Sequence, residues 1–554
     1  MTRNLKLNNL GIFILLWVLL FTLYLPAARA GFVTDFTGWL YEIKNDDFLT
    51  YVNRSNFHVK SLYQFTQCTT YFFYLIFKAN PWLWHLLFIT LQALNGFLLW
   101  LFCSRLFLSS GVNNESGIAL AGVALFCICP AISEVVVWEP SYHYLQGLLM
   151  MLAILICLQN YLHVQKRSYI IIALFIYTLS LFSLEYFYLT PLLSLALIGF
   201  YKYALQYQRI VYKKAMLYFT LPLFLLFTAR LVLFKLLYHD WVSRIGSATL
   251  FQSLHDYIIK PPKYIFHLVF LGRFFSHEYR QKVYAFCEST LGLGIFYTLF
   301  AVLIGYILLR FRKFNNKAKL LSLVFLFVIL ATALVLPMWF PDLQLVAFDR
   351  YMYMLSAFLF MLIALLISYI PRMSLALVVF AFIALINLRY TIRVNRYWMK
   401  AQRIDEKLLD TFPGSNDKIT ILLDQPENMH GIPMIQATHG NEFKLMYNLL
   451  KPDSIQGLVF DGLSFNMETP EDGAHVTVLN DSMARITLNQ WGTWWWFDGF
   501  GATDRENEYY KIHVPDAHFY DITLRKPPAQ YRLLYQTAGN WKEVDWNRKN
   551  EDQY

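Results

Sequence analysis

The sequence predicts a polytopic α-helical membrane protein with a β-rich soluble domain at its C-terminal end. Of its 554 residues, 57% are hydrophobic and only 15% are charged, whereas a soluble domain carries roughly 25% charged residues. Apolar runs of about 20 residues, the length that crosses a bilayer, recur as far as Leu388. After Leu388 the composition turns polar, with short runs typical of strands. These observations place the chain in the polytopic membrane class.

The apolar runs predict about eleven membrane spans. The predicted spans are residues 10–28, 82–104, 117–137, 144–163, 169–186, 188–204, 215–237, 290–309, 320–338, 351–370 and 374–391. The first span follows a basic start and precedes Ala28-Arg29-Ala30, a pattern that also suits a cleaved signal peptide. Because the apolar run is long for a signal peptide, we expect an uncleaved first helix.

The distribution of Lys and Arg predicts the orientation of the spans. Basic residues collect in the loops around Lys166, Lys213 and Lys313, whereas the short turn Glu139–His143 has none. By the positive-inside rule the N-terminus is then cytoplasmic, and an odd number of spans puts the C-terminal domain outside. The net charge is +10, but the Lys and Arg residues do not form a long basic run. We therefore expect the lipid bilayer, and not nucleic acid, as the partner of these charges.

The composition predicts a membrane domain (residues 1–391), an interfacial linker helix (392–414) and a β-rich external domain (415–554). Arginines surround an apolar face just after the last span, which is typical of a helix on the membrane surface, and Pro413-Gly414 ends it. The strand-like runs are ITILL, GLVF, HVTVL, ARITL, YDITL and YRLLY. A further helix within residues 61–80 is predicted to lie in the interface.

The first external loop, Gly31–Lys60, holds the carboxylate best suited to catalysis. Asp35 follows shortly after the first span, so we expect it beside the bilayer. A partly dehydrated carboxylate has a raised proton affinity and suits a general base. The alternative catalytic role is to hold a divalent ion, Mg²⁺ or Mn²⁺, on a carrier phosphate. The structural alternative is a solvated Asp35 that caps a short helix. Asp46-Asp47, in the same loop, also predicts the start of a helix.

Further carboxylates lie at the outer ends of predicted spans. Glu139 ends the third span, with Glu134 about one turn deeper, and Glu185 ends the fifth. Acidic groups at membrane depth are costly and usually line a cavity or pair with another group. We therefore assign Glu139 and Glu185 to a substrate pocket. The alternative for each is a simple interfacial residue.

The tripeptide Asp349-Arg350-Tyr351 opens the tenth span and is assigned to substrate binding. The planar fork of Arg350 matches phosphate oxygens, so a lipid phosphate is its expected ligand. Arg273 and Arg280, in the external segment 238–289, are further phosphate candidates. The alternative is an Arg350 that pairs with its neighbour Asp349 or reaches the lipid head groups.

Other candidate residues are scattered along the chain. His58 and His143 are assigned to substrate binding, although an isolated histidine is more often structural, and their spacing is not that of a metal site. Cys68 and Cys287 both lie in external segments, where a disulfide is an option. The segment Trp491–Phe497 is rich in Trp, which stacks on sugar faces or anchors at membranes, but it also suits a β-domain core.

Four segments resemble the transmembrane O-mannosyltransferases that carry tetratricopeptide repeats, and their bacterial relatives. Residues 58–102 resemble the start of that family, and residues 391–398 resemble the segment that leads it out of the membrane. The matching residues are Pro81, His85, Leu91, Ala93 and Leu94 in the first segment, Pro130, Glu134, Val136 and Trp138 in the second, and Arg350, Tyr351, Tyr353 and Ser356 in the third. The resemblance covers roughly residues 10–400.

The resemblance implies a GT-C fold and an inverting glycosyltransferase. In this family, and in the wider GT-C fold, an acidic residue of the first external loop is catalytic, and Asp35 is the matching position. The chain departs from the family where Phe36 replaces a second Asp, and where Tyr142-His143-Tyr144 replaces Arg-Ala-Asp. The C-terminal repeats are also absent, so the sugar and the acceptor do not carry over. Their absence suggests a bacterial enzyme of the inner membrane with a periplasmic C-terminal domain.

We therefore expect a membrane glycosyltransferase that moves a sugar from a polyprenyl-phosphate donor to a hydroxyl of a protein or glycan acceptor on the non-cytoplasmic face. No motif demands a cofactor other than the optional divalent ion. One alternative is a polymerase or ligase of lipid-linked glycans. The other is a lipid or glycan flippase, which is less favoured because transporters are often built from internal repeats and none is visible here.

Overall fold

The computed structural model describes most of the chain. The described residues are 9–29, 31–32, 36–53, 61–206, 209–241, 254–269, 271–335, 349–414, 418–435, 442–467, 469–488, 494–495, 503–516 and 518–546. Asp35 and His58 lie outside these residues, as does most of the Trp491–Phe497 segment. The roles assigned to them from the sequence stay predictions.

The N-terminal three quarters of the chain is helical, as its long apolar runs predict. The helices are α1 (Asn9–Ala28), α2 (Phe36–Asn45), α3 (Phe48–Asn53), α4 (Gln64–Phe77), α5 (Pro81–Ser109), α6 (Glu115–Cys127), α7 (Ser133–Val137), α8 (Tyr142–Val164), α9 (Arg167–Ser180), α10 (Thr190–Tyr203), α11 (Arg209–Ala215), α12 (Leu221–Tyr238), α13 (Leu254–Val269), α14 (His277–Glu288), α15 (Thr290–Arg310), α16 (Asn316–Val335), α17 (Tyr353–Ser368) and α18 (Met373–Thr411). A π-helical turn joins α11 to α12, and short 3-10 turns flank α7 and precede α17. The predicted helix within residues 61–80 is present as α4.

Among the described residues, eight helices are long and apolar enough to cross a membrane, or nine if the bent pair α6 and α7 is one span. The fold is therefore compatible with a polytopic membrane protein. The segments predicted as the fifth and sixth spans form α9 and α10, each of 14 residues. At about 1.5 Å per residue such a helix is roughly 21 Å long, short of a hydrocarbon core of about 30 Å. By length and composition, the described residues therefore contain fewer candidate spans than the roughly eleven predicted.

The last helix, α18, runs without a break from the membrane part to the C-terminal domain. It has 39 residues, which corresponds to a length of roughly 58 Å. The composition changes inside α18, but no Pro or Gly interrupts it, so the predicted linker helix is the continuation of the last span. Asn395 donates to the Leu23 carbonyl at 2.8 Å, and Thr391 donates to the Ile128 carbonyl at 2.6 Å. These bonds hold α18 against α1 and against the break between α6 and α7.

In its described residues the C-terminal domain contains two sheets and one α-helix, α19 (Glu442–Leu450). The strands are β1 (Ile419–Met429), β2 (Ile432–Pro433), β3 (Val459–Met467), β4 (Ala474–Asn480), β5 (Met483–Leu488), β6 (Trp494–Trp495), β7 (Arg505–Glu506), β8 (Tyr510–His513), β9 (Phe519–Leu524), β10 (Tyr531–Thr537) and β11 (Asn540–Glu543). The first sheet has the order β11-β10-β1-β3-β6, and the second, antiparallel, has the order β4-β5-β9-β8-β7. Five of the six predicted strand-like runs lie within strands, and the second half of GLVF begins β3, so the β-rich prediction is confirmed.

The parallel strand pairs of the first sheet were not predicted. Strand β1 pairs in parallel with both β3 and β10, so that Ile421 lies opposite Phe460 on one side and Leu533 on the other. Parallel pairs require long crossover connections, and the antiparallel sheet lies within the crossover between β3 and β10. The central strand β1 is buried almost throughout.

The C-terminal domain packs on the first external loop and on α18. Helix α19 contacts α2, where a Cβ added at Gly38 would lie 3.7 Å from the Glu442 carboxylate. On the other side, the Trp541 indole donates to the Leu408 carbonyl of α18 at 2.9 Å. The domain is therefore joined to the loop that contains Asp35. In the same loop Asp47 accepts the Leu49 N–H at 3.0 Å, which confirms the predicted helix start at α3.

Asp461, a buried carboxyl group on β3, makes the stability of the domain depend on pH. Gln425 donates to it, yet burial dominates and raises its pKa to about 6. The unfolded chain binds this proton only below about pH 4, so the folded state binds more protons between pH 4 and 6. The stabilising contribution is complete below about pH 4 and is lost as the pH rises through 6, a change of roughly 2–3 kcal/mol.

We expect the Asp461→Asn variant to lose this part of the pH dependence. Its free energy of unfolding should match that of the unmodified protein near pH 4 and exceed it at pH 7, because an amide stays neutral. The measurement is thermal unfolding of the full chain between pH 4 and 8. Asp516→Asn, at an exposed position, is the control. Parallel pH profiles for Asp461→Asn and the unmodified protein would contradict the expectation.

Candidate functional site

An ion pair between Glu134 and Arg350 lies at the centre of the candidate site. The chain bends by 60° between α6 and α7, where Pro130 interrupts the helix, and Glu134 on α7 is buried. Arg350 comes from the 3-10 turn before α17. Its guanidinium pairs with one carboxylate oxygen of Glu134, and its backbone N–H donates to the other at 2.8 Å. Glu134 therefore holds both the side chain and the backbone of Arg350.

Aromatic rings surround the Arg350 guanidinium. Its central carbon lies 4.6 Å from the Trp138 ring centroid and 5.0 Å from that of Tyr351. A cation within about 6 Å of a ring face is attracted by the ring quadrupole. The rings and Glu134 together restrict the guanidinium to one orientation.

Asp349 contacts His267 of α13. The Asp349 carboxylate lies 2.8 Å from His267 Nε2, and the Tyr284 hydroxyl lies 3.3 Å from Nδ1 of the same ring. A cavity of about 10 Å³ adjoins this pair, with room for roughly one water molecule. The alternative considered from the sequence, an ion pair between Asp349 and Arg350, stays a prediction. The pair with His267 joins the turn before α17 to the external segment.

The external segment contributes a basic cluster, which we define as Lys260, Lys263, His267 and Arg280. The first three lie three and four residues apart and so share one face of α13, and Arg280 lies on α14, which packs on α13. All four are at most 8% exposed. Lys263 pairs with Glu288. Since Asp349 contacts His267, the basic cluster adjoins the Arg350 site.

A continuous series of ring contacts connects Arg350 with Glu185. Tyr351 lies against Tyr144, with 6.0 Å between ring centroids, and Tyr144 lies 4.7 Å from His143. His143 stacks on Tyr63 at 6.0 Å. The Tyr63 hydroxyl then donates to Glu185 at 2.6 Å. The structure thus places Arg350, Tyr351, His143 and Glu185 along one series of side-chain contacts, and their assignment to one substrate pocket stays a prediction.

Glu139 forms a second buried carboxylate centre beside this series. It lies 3.3 Å from His85 of α5, and both side chains are at most 2% exposed. Glu139 directly follows Trp138, which covers Arg350. Glu139 is therefore one residue away from the wall of the Arg350 site.

Several residues of the site were not singled out from the sequence. Glu134 was noted as a neighbour of Glu139 and as a match to the family but was given no role, and Lys260 was not considered. Arg230, in the middle of an apolar span, is buried, donates to the Leu181 carbonyl at 2.8 Å, and interacts electrostatically with Glu185. A charged residue inside an apolar run is a signal for a functional or paired group, and this signal would have identified Arg230.

The described residues contain no group of three His, Cys, Asp or Glu side chains that could hold a metal ion. Asp35, the predicted ligand, lies outside the described residues, as do the side chains of Arg273 and His277. Cys68 and Cys287 are both free thiols, so the disulfide considered from the sequence is wrong. The chemistry available in the described part of the site is that of cations, carboxylates and aromatic rings.

Comparisons with known proteins do not add an assignment. No protein-family model matches the chain, and no curated protein is similar enough to match it.

Proposed function

We propose that this chain is a glycosyltransferase of the GT-C type, with about eleven spans in a bacterial inner membrane and the C-terminal domain in the periplasm. It moves a sugar from a polyprenyl-phosphate donor to a hydroxyl of a protein or glycan acceptor. The observation that carries the proposal is the basic cluster, which adjoins Arg350 and buried carboxylates at the ends of apolar helices.

The basic cluster and Arg350 suit the phosphate of the donor. Cationic groups at membrane depth are rare and usually mark the path of an anionic substrate. The guanidinium fork of Arg350 is held by Glu134, and such a fork binds phosphate oxygens in pairs. The ammonium groups of Lys260 and Lys263 add compact positive charges, whose hydrogen bonds are less constrained in direction than those of a guanidinium. A lipid-linked phosphate suits this location, because its charge pairs with the cationic groups and its long apolar tail stays in the bilayer.

The ring series between Arg350 and Glu185 suits the sugar. Aromatic faces stack on the apolar faces of sugars, and Tyr hydroxyls and carboxylates bond their hydroxyl groups. Tyr144 and His143 offer such faces beside Tyr351. Glu185 lies at the far end of the series and accepts a hydrogen bond from the Tyr63 hydroxyl. The sugar would thus lie between the phosphate site and a carboxylate.

The reaction requires one base and one leaving group. The acceptor hydroxyl attacks the anomeric carbon, and its proton goes to Asp35. A bond from the acceptor oxygen to carbon forms, the bond from carbon to the phosphate oxygen breaks, and polyprenyl phosphate leaves with the electron pair. Arg350 and the basic cluster stabilise the charge that develops on the phosphate. Attack from the side opposite the phosphate inverts the configuration.

Product analysis tests the proposal. The purified full chain in lipid nanodiscs is incubated with polyprenyl-phosphate sugars and with peptide or glycan acceptors, and the products are separated by mass. Addition of one sugar per acceptor supports the proposal. Growth of a chain or transfer of a whole glycan would identify the polymerase or ligase instead. Vesicle transport of the carrier without any transfer would identify a flippase.

We expect the double variant Lys260→Gln/Arg280→Gln to bind the donor more weakly. A charge-assisted hydrogen bond contributes about 1.5–3 kcal/mol, so the KM for the donor should rise roughly 10- to 100-fold while the KM for the acceptor stays constant. The measurement is initial transfer rate against donor concentration. Arg310→Gln/Lys313→Gln, at exposed positions, is the matched control. An unchanged donor KM in a folded Lys260→Gln/Arg280→Gln variant would remove the basic cluster from donor binding.

A further inference from the structure

A groove lies where α1 leaves the predicted membrane region, on the side of α18. We call it the interfacial groove. It has a volume of about 330 Å³ and is lined by Leu25, Pro26, Arg29, Met399, Gln402, Arg403 and Glu406. None of these residues belongs to the Arg350 site or to the basic cluster.

The position of the groove along α1 is set by two contacts with α18. Asn395 donates to the Leu23 carbonyl at 2.8 Å. About two turns further along α18, the Gln402 amide bonds the segment that follows α1. It donates to the Phe32 carbonyl at 3.2 Å and accepts the Gly31 N–H at 3.3 Å. Residues 395–402 therefore run beside the end of the first span, at the level where apolar sequence gives way to the external loop.

The lining changes in character from one end to the other. Leu25, Pro26 and Met399 are apolar, and Leu25 and Pro26 belong to the last turn of the first span. Arg29, Arg403 and Glu406 are exposed. Among the residues that the structure describes, no ion pair involves either arginine or this glutamate. The groove thus presents two guanidinium groups and one carboxylate above an apolar floor.

We propose that the interfacial groove binds a bilayer phospholipid whose head group contains a phosphodiester and a primary ammonium group. The acyl chains lie on Leu25, Pro26 and Met399, and the phosphodiester accepts hydrogen bonds from Arg29 and Arg403. The ammonium group donates to Glu406. This arrangement gives both arginines and Glu406 a partner of opposite charge in the head group. An anionic lipid without the ammonium has no cation for Glu406, and a quaternary ammonium lipid has the cation but no N–H to donate to the carboxylate.

The bound lipid lies beside the segment that leads to Asp35. The Gln402 side chain forms the inner wall of the groove and holds Gly31 and Phe32. A Cβ at Gly31 would lie 2.5 Å from the end of the Gln402 amide group, so the segment passes close against this wall. The head group therefore contacts the same side chain that positions the start of the first external loop.

Native mass spectrometry of the full chain tests this proposal. The protein is purified from nanodiscs that contain equal amounts of phosphatidylethanolamine, phosphatidylglycerol and phosphatidylcholine, and the retained lipids are identified. We expect selective retention of phosphatidylethanolamine. Arg29→Gln/Arg403→Gln should lower retention of this lipid at least tenfold, and Glu406→Gln should abolish the preference over phosphatidylglycerol. Arg396→Gln, exposed on the same helix but outside the groove, should change neither.

Several outcomes would overturn the proposal. Equal retention of the three lipids by the unmodified protein would refute the role of the ammonium group. Unchanged retention in Arg29→Gln/Arg403→Gln would refute the groove as the site. Displacement of the phospholipid by added polyprenyl phosphate would show that the groove is a donor site instead. The readout is lipid retention and not transfer, so its result is independent of the glycosyltransferase proposal.

Discussion

Replacing Asp35 with asparagine is expected to lower the transfer rate by about 10²–10⁴-fold, the usual contribution of a positioned general base. The amide has nearly the shape of the carboxylate but cannot accept the proton of the acceptor hydroxyl, and it is a poor ligand for a divalent ion. The measurement is single-turnover transfer with saturating donor. The donor Kd should change little, because the proposed mechanism has Asp35 act on the acceptor.

The matched control for this variant is Asp47→Asn, in the same external loop. Asp47 accepts the Leu49 and Thr50 N–H groups at 3.0 and 3.1 Å at the start of α3. The Thr50 hydroxyl donates to it at 2.6 Å and is the main cause of its lowered pKa. Asn caps a helix about as well as Asp, so Asp47→Asn should keep both stability and transfer. Full turnover by Asp35→Asn would exclude Asp35 from the mechanism.

A chelator added to the unmodified protein decides between a base and a metal ligand. If Asp35 holds a divalent ion, transfer by the unmodified protein should stop in the presence of a chelator and return with Mg²⁺ or Mn²⁺. If Asp35 acts as the base, a chelator should have no effect on the unmodified protein. Either result keeps Asp35 in the mechanism but changes its role.

Replacing Arg350 with glutamine is expected to destabilise the membrane part by about 3–5 kcal/mol, the usual result of removing one partner of a buried ion pair. Glu134 would remain buried, and the Arg350 backbone N–H alone would satisfy part of its carboxylate. The variant should also lose transfer activity, because the guanidinium that faces the phosphate is absent. The measurement is thermal unfolding in nanodiscs together with the transfer rate.

A double variant separates these two effects. Glu134→Gln/Arg350→Gln removes both charges at once, so we expect much of the stability lost in Arg350→Gln to return. Transfer should stay low in the double variant, since neither glutamine replaces the guanidinium. Recovery of transfer together with stability would show that Arg350 serves the fold only. Equal stability of the single and double variants would show that the two side chains are not coupled.

The helices and strands were largely predictable because they depend on local sequence. The apolar runs of α1, α5 and α8 need no partner to be recognised as candidate spans, and the alternating run HVTVL is a strand wherever it pairs. The start of α3 at Asp47 follows from the chemistry of one side chain. The predicted boundary between the last span and the linker helix does not end the helix, because α18 runs through it without a break. The change in composition marks where the chain leaves apolar surroundings, but only Pro or Gly would end the helix there.

The partners of the site residues were not predictable in this way. Arg350 is 216 positions from Glu134 along the chain, and Tyr63 is 122 positions from Glu185. The sequence identified Arg350 and Glu185 as costly groups at membrane depth, which is a statement about each residue alone. It offered a lipid phosphate as the ligand of Arg350, with the adjacent Asp349 as the alternative partner, and did not consider Glu134. The bend at Pro130 brings Glu134 to Arg350, and α13 brings His267 to Asp349.

The sequence by itself determined the class of this protein, the order of its helices and strands, and the residue types that are too polar for their surroundings. Each of these properties follows from the free energy of a residue or of a short segment in water or lipid. Only the tertiary structure decided which charges meet. That choice depends on how helices distant in the chain pack, because burial makes an unpaired charge costly and so selects the arrangement in which Glu134 faces Arg350 and Asp349 faces His267.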